Sequence, residues 1–375
     1  LADAMRRDRL FTLESVNWGF IRPRHPNDRQ LAYAQSEWMC EYIIERFGYD
    51  VINRMLTQFK AGRTQEQVFR DLLSIETTAF DKDFLAWSRK QAESWGLDLS
   101  PVEDLTKLRA LALLPSEDGA ALGRLAKAEL AEGNVEPAIE AAHKALEKNP
   151  DDVIALETLG TIMAEFAGES QSPGKIKEYD DEAHPSLQRL AELKPDNWVA
   201  QKYLGKIALR RGQFDLAEKH FKNLQRLCPL EPSSYAGLAA VYLNAENDDA
   251  ALAQLLELSQ GSAGNADVAA LIARIYRRKQ QLADAQHWYR RAIFMNLFSP
   301  KLHAELAELH QLRGQGAEAL AEFEMLTRLQ PDDAGHWTRA ALTARKLGKD
   351  DQALQYAREA VQRDPNSAAA SLLNK

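Results

Sequence analysis

The chain has 375 residues, 45% hydrophobic and 27% charged, with 14 prolines and a net charge of −8. That is the composition of an ordinary soluble protein, and no apolar run approaches the roughly 20 residues that a membrane-spanning helix needs. Residues 1–97 hold 14 basic and 14 acidic side chains, so the excess negative charge falls on the remainder, where it would repel phosphates and excludes nucleic acid as an expected partner.

Four helices are predicted first. Apolar residues at helical spacing run from Leu31 to Phe47 and stop at Gly48. A second helix covers about Asp50 to Ala61 before Gly62, and Thr64 with Gln67 offers a capping box for a third. The fourth, Thr78 to Trp95, presents Phe80, Phe84, Leu85, Trp87 and Trp95 and ends at Gly96. The stretch 98–118 reads as a linker. Cys40 and Cys228 lie on apolar helical patterns and read as buried free thiols.

The run Ala32-Tyr33-Ala34-Gln35-Ser36, followed by Glu41-Tyr42-Ile43-Ile44-Glu45-Arg46-Phe47-Gly48, resembles the C-terminal part of MA-type zinc peptidase domains, which in bacteria are often fused to helical repeats. Met55-Leu56, Phe59, Gly62, Phe80, Phe84 and Trp87 continue the likeness, so residues 1–97 are expected to be a helical remnant of such a domain. The resemblance implies a metal-binding H-E-x-x-H helix, which needs two histidines four apart beside a general base. None of the eight histidines are so placed, and the chain opens Leu1-Ala2-Asp3 without an initiator methionine. The catalytic half is therefore expected upstream of Leu1. No secretory signal is visible, and the compartment is left as cytoplasmic or periplasmic.

From residue 119 a repeat governs the sequence. Stretches beginning at Trp198, Pro232, Ala266, Pro300 and Ala334 return every 34 residues with small residues in fixed slots. Slot 8 holds Gly205, Ala239, Ala273, Ala307 and Ala341, and slot 20 holds Ala217, Ala251, Ala285, Ala319 and Ala353. Gly133, Gly212, Gly314 and Gly348 recur at slot 15, where a first helix must stop and the left-handed conformation is needed. A further unit covers 119–152. Another starts at Val153, and its second helix, marked by Ala183, Leu187 and Leu190, arrives eleven residues late, which reads as an inserted loop over 169–179.

The period and the slots resemble the tetratricopeptide repeat. The expected fold is all-α: a right-handed superhelix of about seven units, 119–152, 153–197, 198–231, 232–265, 266–299, 300–333 and 334–367, with a partial cap at 368–375 and the small helical cluster in front. One helix pair cannot bury its apolar face alone, so stacked neighbours supply the core.

In that family, slots 2, 5, 6, 9, 12 and 13 line a concave groove. Carried over, they make Lys202, Tyr203, Lys206 and Arg210 one basic ridge and Arg274, Arg277 and Arg278 another. Between them lies a floor of Ser233, Ala236, Gly237, Ala240 and Asn244. An acidic or C-terminal peptide would suit such a surface. The alternative is a solvated face with Arg274 and Arg278 paired to Glu305 and Glu308. The carboxylate clamp of chaperone-binding repeats is not matched, since Lys206 and Asp267 stand at its asparagine and lysine positions.

Phosphate-binding loops, nucleophile elbows and dinucleotide fingerprints are absent from the sequence. His303 and His310, with Glu305 between them, sit at packing slots 4 and 11 rather than on a ligand face. The expectation is a cofactor-free, non-catalytic scaffold for a protein or peptide partner, with no membrane insertion and an open oligomeric state. The alternatives are a zinc-peptidase fragment, or an assembly platform using the convex surface and the inserted stretch.

Overall fold

The structure, a computed structural model, describes residues 1–95, 97, 99–101, 103–113, 119–261 and 264–373. Among them there is no strand, and the fold is all-α, of the tetratricopeptide solenoid class. The chain divides into two compact units, Leu1–Ile207 with Arg226–Leu230, and Ala208–Gln225 with Glu231–Lys375.

The first unit opens with α1 (Ala2–Arg6), α2 (Val16–Ile21), α3 (Asp28–Phe47), α4 (Asp50–Lys60), α5 (Gln65–Val68) and α6 (Thr77–Ser94). The capping box forms: the Thr64 side chain accepts from the Gln67 backbone, and the Gln67 side chain accepts from the Thr64 N–H at 3.1 Å. Beyond α5 the chain widens into a π-helical turn over Phe69–Leu73 and ends in a left-handed Ser74. The core is aromatic, with Phe80 meeting Tyr42 and Phe69 edge-on at centroid distances of 5.4 and 5.0 Å. Such edge-to-face pairs contribute beyond their buried area. Fully buried Gln35 holds the preceding segment by bonding both the N–H and the carbonyl of Phe11.

The cysteine expectation is corrected for one of the two residues. Cys228 is buried, whereas Cys40 is exposed, because it shares the outer face of α3 with exposed Tyr33 and Glu37. The predicted stop at Gly96 lies outside the described residues. The stretch expected to be a linker is also different: within 98–118, α7 (Leu105–Ala112) is capped by the Asp104 carboxylate and packs on α8 (Ala120–Ala131). Arg109 makes a two-pronged bond to Glu129 at 2.7 and 3.0 Å, and that contact with a guanidinium holds the buried Glu129 carboxyl below its ordinary range.

The repeats continue with α9 (Val135–Lys148), α10 (Val153–Glu169), α11 (Pro173–Leu193) and α12 (Trp198–Arg210). The loop expected over 169–179 is not a loop. At slot 15 of this unit Ala167 stays helical; α10 runs on to Glu169, residues 170–172 make the connection, and α11 starts at Pro173, which suits a first helical position. Phe166 and Tyr179 join the two extensions at a ring-centroid distance of 5.4 Å. Pro185 lies inside α11, where it removes one backbone bond. Leu187, two residues further on, seats on Gly160, where a Cβ would come within 2.7 Å.

The remaining helices are α13 (Phe214–Leu227), α14 (Pro232–Asn244), α15 (Asp248–Gly261), α16 (Ala266–Arg278), α17 (Leu282–Met295), α18 (Pro300–Leu312), α19 (Gly316–Leu329), α20 (Ala334–Lys346), α21 (Asp350–Arg363) and α22 (Ala370–Leu373). In the second unit the small-residue slots are the contact points: Ala239, Ala251, Ala273, Ala285, Ala307, Ala319, Ala341 and Ala353 are all at most 1% exposed. Slot 15 is left-handed throughout. Gly212, Gly314 and Gly348 have φ of 70°, 69° and 73°, and the non-glycine residues there, Glu246 and Gln280, adopt 53° and 59°.

Candidate partner-binding site

The residues expected in the groove are divided between the two compact units, and each set is taken by itself. In the first unit, Tyr203 is buried, with its hydroxyl bonded to Glu165 of α10. The Lys202 and Lys206 ammonium groups stand 5.4 and 5.2 Å from the centroid of its ring, both half-buried. The ring thus acts as a support that holds two cations through its π face, and only the lysines reach the surface.

In the second unit, Arg210 and Asn244 are exposed at the C-terminal ends of α12 and α14. Arg274 grips Glu305 with two parallel bonds of 2.9 Å. Arg277 reaches Glu308 at 3.2 Å, and Arg278 pairs with Asp248. The alternative pairing anticipated from the sequence is therefore right for Arg274 and different for Arg278. As the last residue of α16, Arg278 faces the start of α15 in the preceding repeat, leaving Glu308 to Arg277. Of the proposed floor, Gly237 is buried: a Cβ there would lie 2.3 Å from the Phe221 ring.

His303 and His310 are 5% and 1% exposed. Nδ1 of His303 lies 2.6 Å from Glu322 and Nε2 lies 3.0 Å from the Leu297 carbonyl, so both ring nitrogens face acceptors within the protein. Among the described residues no group of three or more histidine, cysteine, aspartate or glutamate side chains could hold a metal ion, and the donor set of a zinc peptidase does not fit them. No described helix is long and apolar enough to cross a membrane.

One site was not anticipated. Within the first unit, a cleft of 510 Å³ lies between α1 and the first helices of the early repeats, lined by Asp3, Arg6, Lys127, Ile154, Glu157 and Trp198. A smaller neighbour of 230 Å³ shares Arg6, Lys127 and Ile154. Lys127 is slot 9 of its repeat, and Ile154 and Glu157 are slots 2 and 5 of theirs. The slot rule did mark these as inward-facing; what it lacked was any sign that α1 would lie against them.

Comparison with known proteins finds both of the families that the sequence resembles. Residues 1–90 match the family model of the Peptidase MA superfamily. Tetratricopeptide repeat matches cover residues 181–232, 204–267, 270–334 and 304–368. The DnaJ homolog subfamily C member 3 of Homo sapiens is 22% identical over 240 residues, covering 64% of this chain and 42% of that protein, so the chain spans less than half the length of this relative. The C-terminal part of a TPR repeat-containing protein from Cytophaga hutchinsonii superposes with a TM-score of 0.53 at 14% identity, covering 67% of this chain and 99% of that one. YrrB, a TPR protein with an unusual peptide-binding site, gives 0.42 at 16% identity, covering 50% and 97%.

Proposed function

We propose that this tetratricopeptide-repeat chain is a protein-binding scaffold, without catalytic chemistry of its own, that takes a protein or peptide partner on the inward faces of its repeats. One observation carries the reading. The packing slots of the second unit are sealed by alanines at most 1% exposed, while the groove slots of the same helices keep large polar side chains at the surface. The side chains of Arg274, Arg277 and Arg278 are 38%, 33% and 58% exposed. These arginines reach solvent while paired to carboxylates of neighbouring repeats, so a ligand's carboxylates can compete for them.

An acidic partner fits this surface because its carboxylates would take the places of Glu308 and Asp248 on their arginines. Exposed ion pairs are worth about 0–1 kcal/mol each, so the exchange costs little. Lys202 and Lys206 offer a second pair of cations. The test is capture of protein partners by the 375-residue chain against two variants of unchanged helicity, Arg277→Ala with Arg278→Ala in the second unit and Lys202→Ala with Lys206→Ala in the first. Loss of capture in either supports the groove, and equal capture by both removes it.

A second reading is favoured by the peptidase match over residues 1–90. In it the chain is the C-terminal part of a repeat-fused zinc metallopeptidase, with the H-E-x-x-H half encoded upstream of Leu1. Exposed Trp18, Ile21 and Tyr33, at 52%, 70% and 66%, are the apolar residues that the rest of such a domain would cover. Sequencing the gene upstream of Leu1 decides it: a start codon or an unrelated domain there ends this reading.

A further inference from the structure

We infer that α1 and the Arg7 that caps it are held in cis by the C-terminal end of α8 in the first repeat, a clasp that joins the peptidase-like module to the repeat array. The anchor is Arg7. Its Nη1 lies 2.6 Å from Glu132 and its Nη2 donates to the Ala131 carbonyl at 3.2 Å, both at the C-terminal end of α8. The carbonyls of Ala128, Glu129 and Leu130 accept from backbone N–H groups beyond the helix end. The next carbonyl, that of Ala131, is met by the guanidinium, and a cation at this end also suits the helix dipole.

The rest of α1 is fastened on its other sides. Met5 and Ala4 are 2% and 8% exposed. Arg89 of α6 donates to the Met5 carbonyl at 3.4 Å, Arg6 donates to the Ser100 carbonyl at 3.0 Å, and Asp3 steadies Arg7 from one turn away at 3.0 Å. A helix of five residues does not persist alone in water, so docking is what orders it. The cleft beside α1 is walled on its far side by slots 6, 9 and 13 of the first repeat, Arg124, Lys127 and Ala131, and by slots 2 and 5 of the second, Ile154 and Glu157. The segment held is a short helix carrying a buried methionine beside an arginine. A tethered segment of this kind stays at an effective concentration on the order of millimolar, so a partner entering the cleft meets α1 as one of its walls. The inference does not depend on the proposed partner binding by the later repeats.

The test is amide hydrogen exchange on the 375-residue chain, comparing the wild type with Arg7→Glu, Glu132→Arg and the double reversal. In the wild type, the amides of Met5, Arg7 and Arg9 are expected to be protected, since each bonds a backbone carbonyl. Each single reversal should speed exchange over residues 2–9 and 128–134 by about tenfold, the scale of a lost charged hydrogen bond, and the double reversal should regain only the share due to the 7–132 ion pair, because a carboxylate at position 7 cannot donate to the Ala131 carbonyl and faces Asp3. Wild-type α1 amides exchanging at the solvent rate, or a double reversal as fast as the singles, overturns the clasp.

Discussion

Replacing Gly237 by alanine tests how tightly the repeats are stacked. An ideal Cβ at 237 would lie 2.3, 2.4 and 2.6 Å from three carbons of the Phe221 ring. Carbon atoms rest at about 3.5–4.0 Å, so the ring would have to retreat by more than about 1 Å. It has nowhere to go: Phe221 is 1% exposed, and Ala217 and Leu224 on the same helix are fully buried. Overpacking of this kind costs about 1–3 kcal/mol, and the better helix propensity of alanine returns up to about 1 kcal/mol. The net expectation is a loss of about 1–2 kcal/mol. Gly168→Ala is the matched control, since Gly168 lies in α10, is exposed and has nothing within 4 Å of its Cβ position. There the propensity gain stands alone, at about 0.5–1 kcal/mol. Urea unfolding followed by far-UV circular dichroism reads both. A Gly237→Ala chain as stable as the wild type, or two variants shifting in the same direction, would refute the contact as the cause.

The left-handed turn residues give a second test. Gln280, at φ 59°, does with a side chain what Gly314 does without one, so Gln280→Gly should stabilise by up to about 1 kcal/mol and Gly314→Ala should destabilise by a similar amount in the same unfolding assay. His303 gives a pH dependence. Its partner Glu322, and secondarily the Leu297 carbonyl, raise its pKa against the opposing effect of burial. The folded form therefore favours the proton, and the stabilisation is fully present below the ordinary value of about 6.5 and is lost as pH rises through the raised one. The stability gap between wild type and His303→Gln should be wide below the ordinary histidine value and narrow as pH rises through the raised one; an unchanging gap would count against an imidazolium. The thiols give a third. A thiol reagent should modify Cys40 in the native chain and reach Cys228 only on unfolding, with Cys40 reacting slowly because partial burial, Glu37 and Glu41 raise its pKa. Equal rates for the two would contradict the burial described.

The repeat helices were legible because one short list of small residues recurs at the same spacing and each member is a contact between helices. Where that grammar lapses, sequence reading failed in a patterned way. The polar stretch 169–179 has the composition of a loop, and what makes it helical is the Phe166–Tyr179 contact between the two extensions, which no single-helix pattern encodes. Helix α7 is only eight residues long and owes its place to Arg109 on Glu129 rather than to periodicity. Slot rules also placed Tyr203 in the groove, because a slot gives the side of a helix and not what a neighbour lays over it, here Glu165. The anchoring of α1 joins residues 125 positions apart through one arginine, and no local pattern encodes that.

The long hairpin of α10 and α11 has a consequence for assembly. Their 17 and 21 residues compare with 13 and 14 in the pairs from α12 to α21. At 1.5 Å per residue, α11 is longer than its counterparts by about 10 Å. Arrays of near-identical modules are prone to misassembly, in which one module takes the berth of another. A pair of odd length, joined by its own Phe166–Tyr179 contact and seated by Leu187 on Gly160, cannot exchange places with the others. Its length and its own contacts mark the second module as distinct from the rest of the array.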